Sequence, residues 1–211
     1  MQDYDHAKGA ARADLCRLLA ACYYQPGPEF AEEKVFDSMH DAATRIHPDL
    51  AEHARRLGEA FSAERPESLL VDYTRLFLAP NKVIASPYGS VWMSGENTLM
   101  QDSTMAVLEF YHEGGFDMDE QFRELPDHIA AELEFLYLLI FRQNEGHRMG
   151  EPEALKTTTS LKKRFLEEQL GLWIGPFTAA VKAGAQGGFY YELAELTHRF
   201  VKMEAGGDIA P

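Results

Sequence analysis

The segment Ile129–Phe141 constrains the fold most, because it is apolar on nearly every side of a helix. Leu133 and Leu136 recur at helical spacing, and Phe135 and Leu139 fill much of the opposite side. A helix that is apolar nearly all round belongs in the middle of a helical bundle. The segment therefore predicts a buried central helix.

Helical spacing recurs from end to end of the chain, and strand-like alternation is almost absent. Proline stands at or just before several predicted helix starts, and glycine follows several ends. The predicted helices are Ala10–Tyr24, Pro28–Arg45, Pro48–Ala63, Pro66–Leu78, Glu96–Glu113, Pro126–Asn144, Glu151–Leu170, Trp173–Ala183 and Gly188–Glu204. The expected fold is all-α, a single-domain bundle of about nine to ten helices with a candidate sub-domain break near residues 114–120.

The composition argues against several classes of protein. No apolar run reaches the roughly 18 residues of a membrane-spanning helix, so we expect no membrane insertion. The net charge of −14 argues against nucleic acid, whose phosphates repel an acidic surface, and favours a basic partner. Many proteins are acidic for solubility alone, so the charge does not identify that partner.

The N-terminus and the cysteines indicate a cytoplasmic protein. Met1–His6 is acidic, whereas a secretory signal begins with basic residues. Cys16 and Cys22 lie in one predicted helix, too far apart around and along its axis for a comfortable disulfide, and the chain has no further cysteine. We expect both to be buried, reduced thiols.

The longest irregular stretch of the sequence is Ala79–Ser94. It contains Pro80 and Pro87, together with the aromatic residues Tyr88 and Trp92, which we expect to be exposed. Long structured loops of this kind often carry function.

Three residues at the end of the preceding predicted helix, Tyr73, Leu76 and Phe77, could line an apolar trough with these loop aromatics. Such a trough would suit a hydrophobic peptide, because aromatic side chains give a large contact area at low entropy cost. Core packing is the alternative, and for Leu76 and Phe77 taken alone it is the stronger interpretation.

Asp127 and His128 stand at the start of the apolar helix and have the most chemical content. A carboxylate beside an imidazole can bind arginine side chains or backbone amides, and Glu132 lies one turn beyond His128 on the same face. The alternative is helix capping, in which Asp127 satisfies donors of the first turn. Glu124 either extends an acidic rim or is a solvated loop residue.

Several motifs follow one another in a fixed order. They are Tyr73–Pro80, Ser86–Trp92, Glu124–His128, Phe165–Leu170 with Trp173 and Phe177 beyond it, and Phe189-Tyr190. Together, over residues 10–204, they resemble the TorD/DmsD/NarJ family of cytoplasmic chaperones, which mature molybdenum-containing reductases. One departure is Pro126, which lies one place later than the proline of the family's Glu-Pro-x-Asp-His pattern.

The resemblance implies a chaperone that is not an enzyme and whose partner is the catalytic subunit of a molybdopterin-dependent oxidoreductase. It would bind the twin-arginine leader and the apo form of that subunit, assist cofactor insertion and delay export. The matching Asp and His of the family line a leader-binding groove. The expected leader-binding residues are Tyr73, Leu76, Phe77, Pro80, Pro87, Tyr88, Trp92, Glu124, Asp127 and His128. Glu134 would extend their acidic rim.

No bound cofactor or metal is expected, although a weak contact with nucleotide or molybdopterin cofactor stays open, with no site indicated. Gly184–Gly188 is glycine-rich but lacks a preceding strand, so we interpret it as a turn between helices. The sequence does not decide between a monomer and a homodimer.

Two other functions stay open. One is a NarJ-like assembly chaperone for a reductase that is not exported, which would need no twin-arginine leader. The other is an all-α metal-dependent phosphohydrolase. Enzymes of that class have a His-Asp dyad, and Asp127-His128 resembles it in reversed order. No His-x-x-x-His pair and no His-Glu-x-x-His motif supports this enzyme.

Overall fold

The computed structural model describes residues 4–78, 83–93, 102–118 and 124–207. Within these ranges the chain is helical and has no β-strand apart from one isolated bridge between Tyr88 and His128. The helices are α1 (His6–Ala21), α2 (Glu29–Glu32), α3 (Val35–Ile46), α4 (Pro48–Ala63), α5 (Pro66–Tyr73), α6 (Gly89–Met93), α7 (Asp102–Glu113), α8 (Ile129–Met149), α9 (Pro152–Glu168), α10 (Leu170–Gly184) and α11 (Gly188–Glu204). The predicted all-α fold is confirmed.

The central helix is α8, as its sequence predicts. Leu133 and Leu136 are buried on one side, and Phe135 and Leu139 are buried on the other. The helices α1 and α9 pack along it. Burial of this kind removes apolar surface from water at roughly 25 cal/mol per Å², which makes α8 the main anchor of the core.

Helix α1 runs antiparallel to α8. Near one end of the pair, the Cys16 thiol donates to the Leu133 carbonyl at 3.3 Å. Near the other end, the Asn144 side chain donates to the Gly9 carbonyl at 2.9 Å. This direction brings the residues after α1, Tyr24 among them, to the first turns of α8.

A second layer joins α3, α4 and α11. Phe36 contacts Phe61 with ring centroids 4.5 Å apart and Phe189 at 5.6 Å. Aromatic pairs of this kind add about 0.5–1.5 kcal/mol beyond their buried area. Helix α1 packs on α8, and α4 packs on α11. Helices from both sides of the candidate sub-domain break near residues 114–120 therefore pack against each other.

Several helix boundaries differ from the prediction. Helix α8 begins at Ile129 rather than Pro126, and it ends at Met149 rather than Asn144, capped by Gly150 with a φ of 68°. The predicted helix Pro28–Arg45 is divided into α2 and α3 at Lys34, whose φ is 51°. The stretch predicted to be irregular contains the short helix α6.

Cys16 and Cys22 are buried and free, as predicted. Burial raises the pKa of Cys22 to about 12, because the thiolate would lose its hydration. Burial also raises the pKa of Cys16 well above its ordinary value. Both residues therefore behave as small apolar side chains of the core.

Candidate functional site

Two segments distant in sequence meet at the start of α8. The Gly89 N–H donates to the Asp127 carbonyl at 2.9 Å, and the Ile129 N–H donates to the Pro87 carbonyl at 2.8 Å. This short antiparallel pairing holds the segment 87–93 across the helix start. The structure thereby brings Pro87 and Tyr88 together with Asp127 and His128, as the sequence predicts for its candidate site.

Asp127 is 1% exposed, and its carboxylate serves a different helix from the one predicted. Its Oδ2 accepts a hydrogen bond from the Ser90 N–H at 2.8 Å, so it caps the first turn of α6. The interpretation of Asp127 as a cap on its own helix is therefore wrong. The carboxylate fixes the position of α6, while its Oδ1 has no hydrogen-bond partner in the described part of the chain.

His128 is the residue that caps α8. Its Nδ1 accepts from the Ala130 N–H at 3.2 Å, which leaves the ring proton on Nε2 when the imidazole is neutral. The Tyr24 ring lies nearly parallel to the imidazole at 6.2 Å, and the Tyr88 ring meets it edge-on at 5.3 Å. Burial lowers the pKa of His128 to about 4 even though Glu124 and Asp127 oppose the shift.

Glu132 lies one turn further along α8 and is fully buried. The Trp173 indole N–H donates to both carboxylate oxygens at 3.2 Å. Burial raises the pKa of Glu132 well above its ordinary value, and the nearby Asp127 raises it further.

Gly89 allows α6 to approach this pair closely. A Cβ atom at Gly89 would lie 2.8 Å from Trp173 Nε1, closer than real contacts allow, and 3.1 Å from Glu132 Oε1, tighter than most real contacts. Only glycine therefore fits between α6 and the two side chains without a shift.

Two partly exposed carboxylates lie at the rim of this cluster. Glu124 accepts a hydrogen bond from the Tyr88 hydroxyl, and Glu134 accepts one from the Tyr24 hydroxyl at 2.9 Å. Burial raises the pKa of Glu134, and the tyrosine bond opposes part of that shift. Because both tyrosines contact the His128 ring, each carboxylate is linked through one tyrosine to the buried imidazole. We call Glu124, Glu134, Tyr24, Tyr88 and His128 the acidic rim.

The predicted apolar trough is filled by the core in this structure. Leu76 and Phe77 are 0% and 4% exposed, and Phe77 packs against Tyr73 with ring centroids 5.3 Å apart. Pro87 is buried. Pro80 lies outside the described residues.

The expected exposure of the two loop aromatics is wrong, because both Tyr88 and Trp92 are half-buried. The Trp92 indole N–H donates to the Ser86 carbonyl at 2.8 Å, and its ring packs on Phe177. Of these two aromatics, Tyr88 belongs to the acidic rim, whereas Trp92 anchors the segment 87–93 to the core through Phe177.

Thr74–Leu78 continues α5 as a π-helix, a form that occurs often at functional sites. Within it, Arg75 donates to the Asp72 carboxylate and to the Gly184 carbonyl. Asp72 in turn accepts from the Gln186 N–H at 3.0 Å. The π-helix is thus tied to the turn between α10 and α11.

The glycine-rich segment is that turn, as predicted. Glu64 accepts from the Phe189 N–H at 3.0 Å, so a carboxylate already caps α11. Glu64 and Asp72 therefore already accept from backbone donors of this turn that a phosphate could use.

No three His, Cys, Asp or Glu side chains in the described ranges lie close enough to hold a metal ion. In the same ranges, no helix combines the length and the apolar character needed to cross a membrane.

Sequence reasoning missed two residues of this region. Tyr24 carries no motif, and only the antiparallel packing of α1 on α8 places it beside His128 and Glu134. Trp173 stands in a matching segment, but nothing in the sequence pairs it with Glu132, which lies 41 residues earlier.

The sequence model of the family described as nitrate reductase delta subunit matches residues 43–179 of the chain. Among solved structures, a candidate redox enzyme maturation protein from Archaeoglobus fulgidus superposes with a TM-score of 0.56 over 96% of both chains. At 20% sequence identity this likeness establishes the fold alone.

Three curated relatives are similar in sequence. The chaperone protein TorD of Vibrio parahaemolyticus is 31% identical over 138 residues, which are 65% of this chain and 62% of that protein. The Tat proofreading chaperone DmsD of Salmonella typhi is 32% identical over 144 residues, 68% and 69% of the two chains. The perchlorate reductase assembly chaperone protein of Dechloromonas aromatica is 29% identical over 207 residues, which cover 92% of this chain and 88% of that protein.

The alignment thus spans less than two thirds of the length of the Vibrio TorD protein. All three relatives are chaperones by name. The chain belongs to the nitrate reductase delta subunit family, in the TorD/DmsD branch of redox enzyme maturation chaperones.

Proposed function

We propose that the protein is a cytoplasmic chaperone for the catalytic subunit of a molybdopterin-dependent oxidoreductase. It binds the twin-arginine leader and the apo form of that subunit, assists cofactor insertion and delays export until the subunit is mature. The observation that carries this proposal is the acidic rim, with its two partly exposed carboxylates linked through tyrosines to one buried imidazole.

The rim is chemically matched to a pair of arginines. A guanidinium group forms forked hydrogen bonds with a carboxylate, and each carboxylate has about four acceptor sites, of which a tyrosine hydroxyl takes one. Glu124 and Glu134 therefore keep acceptor capacity for arginine. The tyrosines hold the carboxylates in position, so less side-chain entropy is lost when the leader binds.

Asp127 and His128 act in this proposal through the residues they position. Asp127 holds α6, and with it the segment that carries Tyr88. His128 packs between the two tyrosines that orient the carboxylates. Because both side chains are at most 3% exposed, they offer little surface for direct contact with a leader.

Release follows from differential binding. The chaperone binds the leader and the immature subunit more tightly than the folded, cofactor-loaded enzyme. It therefore dissociates as maturation proceeds. The coupling requires no chemical step by the chaperone.

A second candidate function is assembly of a reductase subunit that is not exported. It is favoured by the description of the matching family as a nitrate reductase delta subunit. This function requires binding to the body of the subunit and does not require a twin-arginine leader.

Isothermal titration with twin-arginine leaders from molybdoenzymes of the same genome tests the proposal. We expect one leader to bind at micromolar affinity or better, and a leader with both arginines changed to lysine to bind about tenfold more weakly, because lysine cannot form the forked bond. Binding to the apo subunit without its leader, and to no leader peptide, would support the second candidate instead.

The chain also offers matched variants for this titration. The Glu124→Gln/Glu134→Gln double variant keeps the acceptors for both tyrosines and removes both charges, so leader affinity should fall. Glu167→Gln on α9 is the control, since Glu167 is an exposed glutamate whose nearest cation is Lys163 at 3.8 Å. Unchanged affinity in the double variant would refute the acidic rim as the arginine site.

A further inference from the structure

The exposed face of α8 continues directly from the acidic rim with apolar side chains. Glu134, Leu138 and Phe141 follow one another at helical spacing, with Tyr137 beside them. Phe141 is 45% exposed, which is unusual for a large apolar side chain of the central helix. Tyr137 contacts it with ring centroids 6.2 Å apart.

This apolar stretch has two clear ends. Glu134 marks the first end, and Glu145, paired with Arg148 at 2.6 Å, marks the second. From Glu134 to Phe141 the helix rises by about 10 Å, at 1.5 Å per residue. The stretch is therefore about two helical turns long, acidic where it begins and bounded by an ion pair where it ends.

We infer that this face, Tyr137, Leu138 and Phe141, receives the apolar segment that follows the paired arginines in the leader. The inference rests on the proposed function and adds to it the place and direction of the leader. Charge complementarity identifies the occupant, because a peptide with arginines at one end and apolar residues beyond them matches a face that is acidic first and apolar next.

The same match fixes the direction of the bound chain. The arginines lie at Glu124 and Glu134, and the following residues run toward Phe141, so the leader lies parallel to α8. The apolar region of an export signal has 7–15 residues, which span about 10–22 Å as a helix. Its shortest form covers the stretch from Glu134 to Phe141.

A double-mutant cycle in leader affinity tests this placement. The protein is changed at Phe141→Ser, and the leader is changed at two of its apolar residues to serine, with both arginines kept. Phe141→Ser should weaken binding of the unchanged leader about tenfold, since a buried aromatic contact is lost. It should weaken binding of the serine-containing leader much less, because the two changes remove the same contact.

Met149→Ser is the matched control. Met149 lies on the same helix beyond the Glu145–Arg148 pair and is 61% exposed, so its change should leave leader affinity unaltered. Circular dichroism checks that both variants keep their helical content.

Equal weakening of both leaders by Phe141→Ser, or no weakening of either, would overturn the inference while leaving the acidic rim in place. If sedimentation shows that Phe141→Ser converts a dimer to a monomer with leader affinity unchanged, the face is a contact between two copies of the chain and the inference is wrong. If the wild-type protein binds no leader, the proposed function itself fails, and the inference fails with it.

Discussion

Two regions of the molecule bury carboxylates in opposite ways. At the end of α11, Glu204 accepts two hydrogen bonds from Arg12 and one from Lys162, at 2.6, 2.6 and 2.7 Å. At the start of α8, the side-chain donor to Glu132 in the described part of the chain is the indole N–H of Trp173. The two cations lower the pKa of Glu204 despite its burial, whereas burial raises that of Glu132.

The opposite pKa shifts of Glu204 and Glu132 distinguish a carboxylate that joins helices from a carboxyl group that lies beside a candidate site. The Glu204 cluster joins α1, α9 and α11, and the charge of its carboxylate is compensated by two cations within the fold. The cluster at α8 holds a histidine whose pKa is lowered and a glutamate whose pKa is raised, and within the described residues no salt bridge reaches Glu132. Strongly shifted pKa values of this uncompensated kind gather at functional sites.

The largest expected effect is that of Glu204→Gln. The change keeps the shape of the side chain but leaves Arg12 and Lys162 without their counter-charge, which should cost roughly 3–5 kcal/mol of unfolding free energy. Urea denaturation measures this cost. The matched change Glu132→Gln should alter the same quantity by less than about 1 kcal/mol, because glutamine keeps an acceptor for the Trp173 indole N–H and no described cation loses its partner. Equal costs for the two variants would erase the contrast between the regions.

The pH dependence of the unfolding free energy should also distinguish the start of α8 from the Glu204 cluster. The folded-state pKa of His128 is about 4 and its ordinary value is 6.5, so the unfolded chain binds the extra proton first. His128 therefore contributes stability that is complete above pH 6.5 and is lost as the pH falls toward 4. The loss is on the order of 2–3 kcal/mol for this shift.

The His128→Asn variant isolates that contribution, since asparagine is a good N-cap and does not titrate. Urea denaturation at pH 7 and pH 4.5 should show a larger loss of stability in the wild-type protein than in the variant. The same loss in both proteins would mean that His128 is not held neutral by burial.

Gly89→Ala should cost about 1–3 kcal/mol, because its Cβ would press on Trp173 and Glu132. Gly175→Ala in α10 is the control, since the nearest atom to its Cβ would be His198 Cε1 at 3.9 Å. Thermal unfolding compares the two. If Gly89→Ala is as stable as the control, α6 does not need its close approach to α8.

Asp127→Ala should lower the unfolding free energy by about 1 kcal/mol, for the loss of one helix cap. Amide hydrogen exchange should quicken at Ser90 and Gly89, and leader affinity should fall because Tyr88 loses its support. Asp5→Ala is the comparison, since Asp5 caps α1 through the Lys8 N–H at 2.9 Å, far from the rim. It should cost a similar amount and leave leader affinity unchanged.

The sequence predicts helices well where local signals decide. The bounds of α4 and α11 match their predictions, because Pro48 opens one and the turn Gly184–Gly188 precedes the other. The buried character of α8 is also readable from its apolar residues alone. These features depend on neighbours within a few positions along the chain.

The sequence fails where distant segments meet. The start of α8 is shifted to Ile129 because the preceding residues pair with Pro87 and Gly89, about 40 positions earlier. The role of Asp127 as a cap for α6 has the same origin. The Glu204 cluster is equally unreadable, because Arg12, Lys162 and Glu204 each look like solvated helix residues until three helices pack together.

The central claim is that Glu124 and Glu134 bind the paired arginines of a leader. A double-mutant cycle by isothermal titration tests it most directly, with Glu124→Gln/Glu134→Gln in the protein and both arginines changed to glutamine in the leader. The account predicts a coupling of about 1–3 kcal/mol, so that once the arginines are absent the protein variant binds like the wild type. A coupling near zero, with each change weakening binding independently, would contradict it.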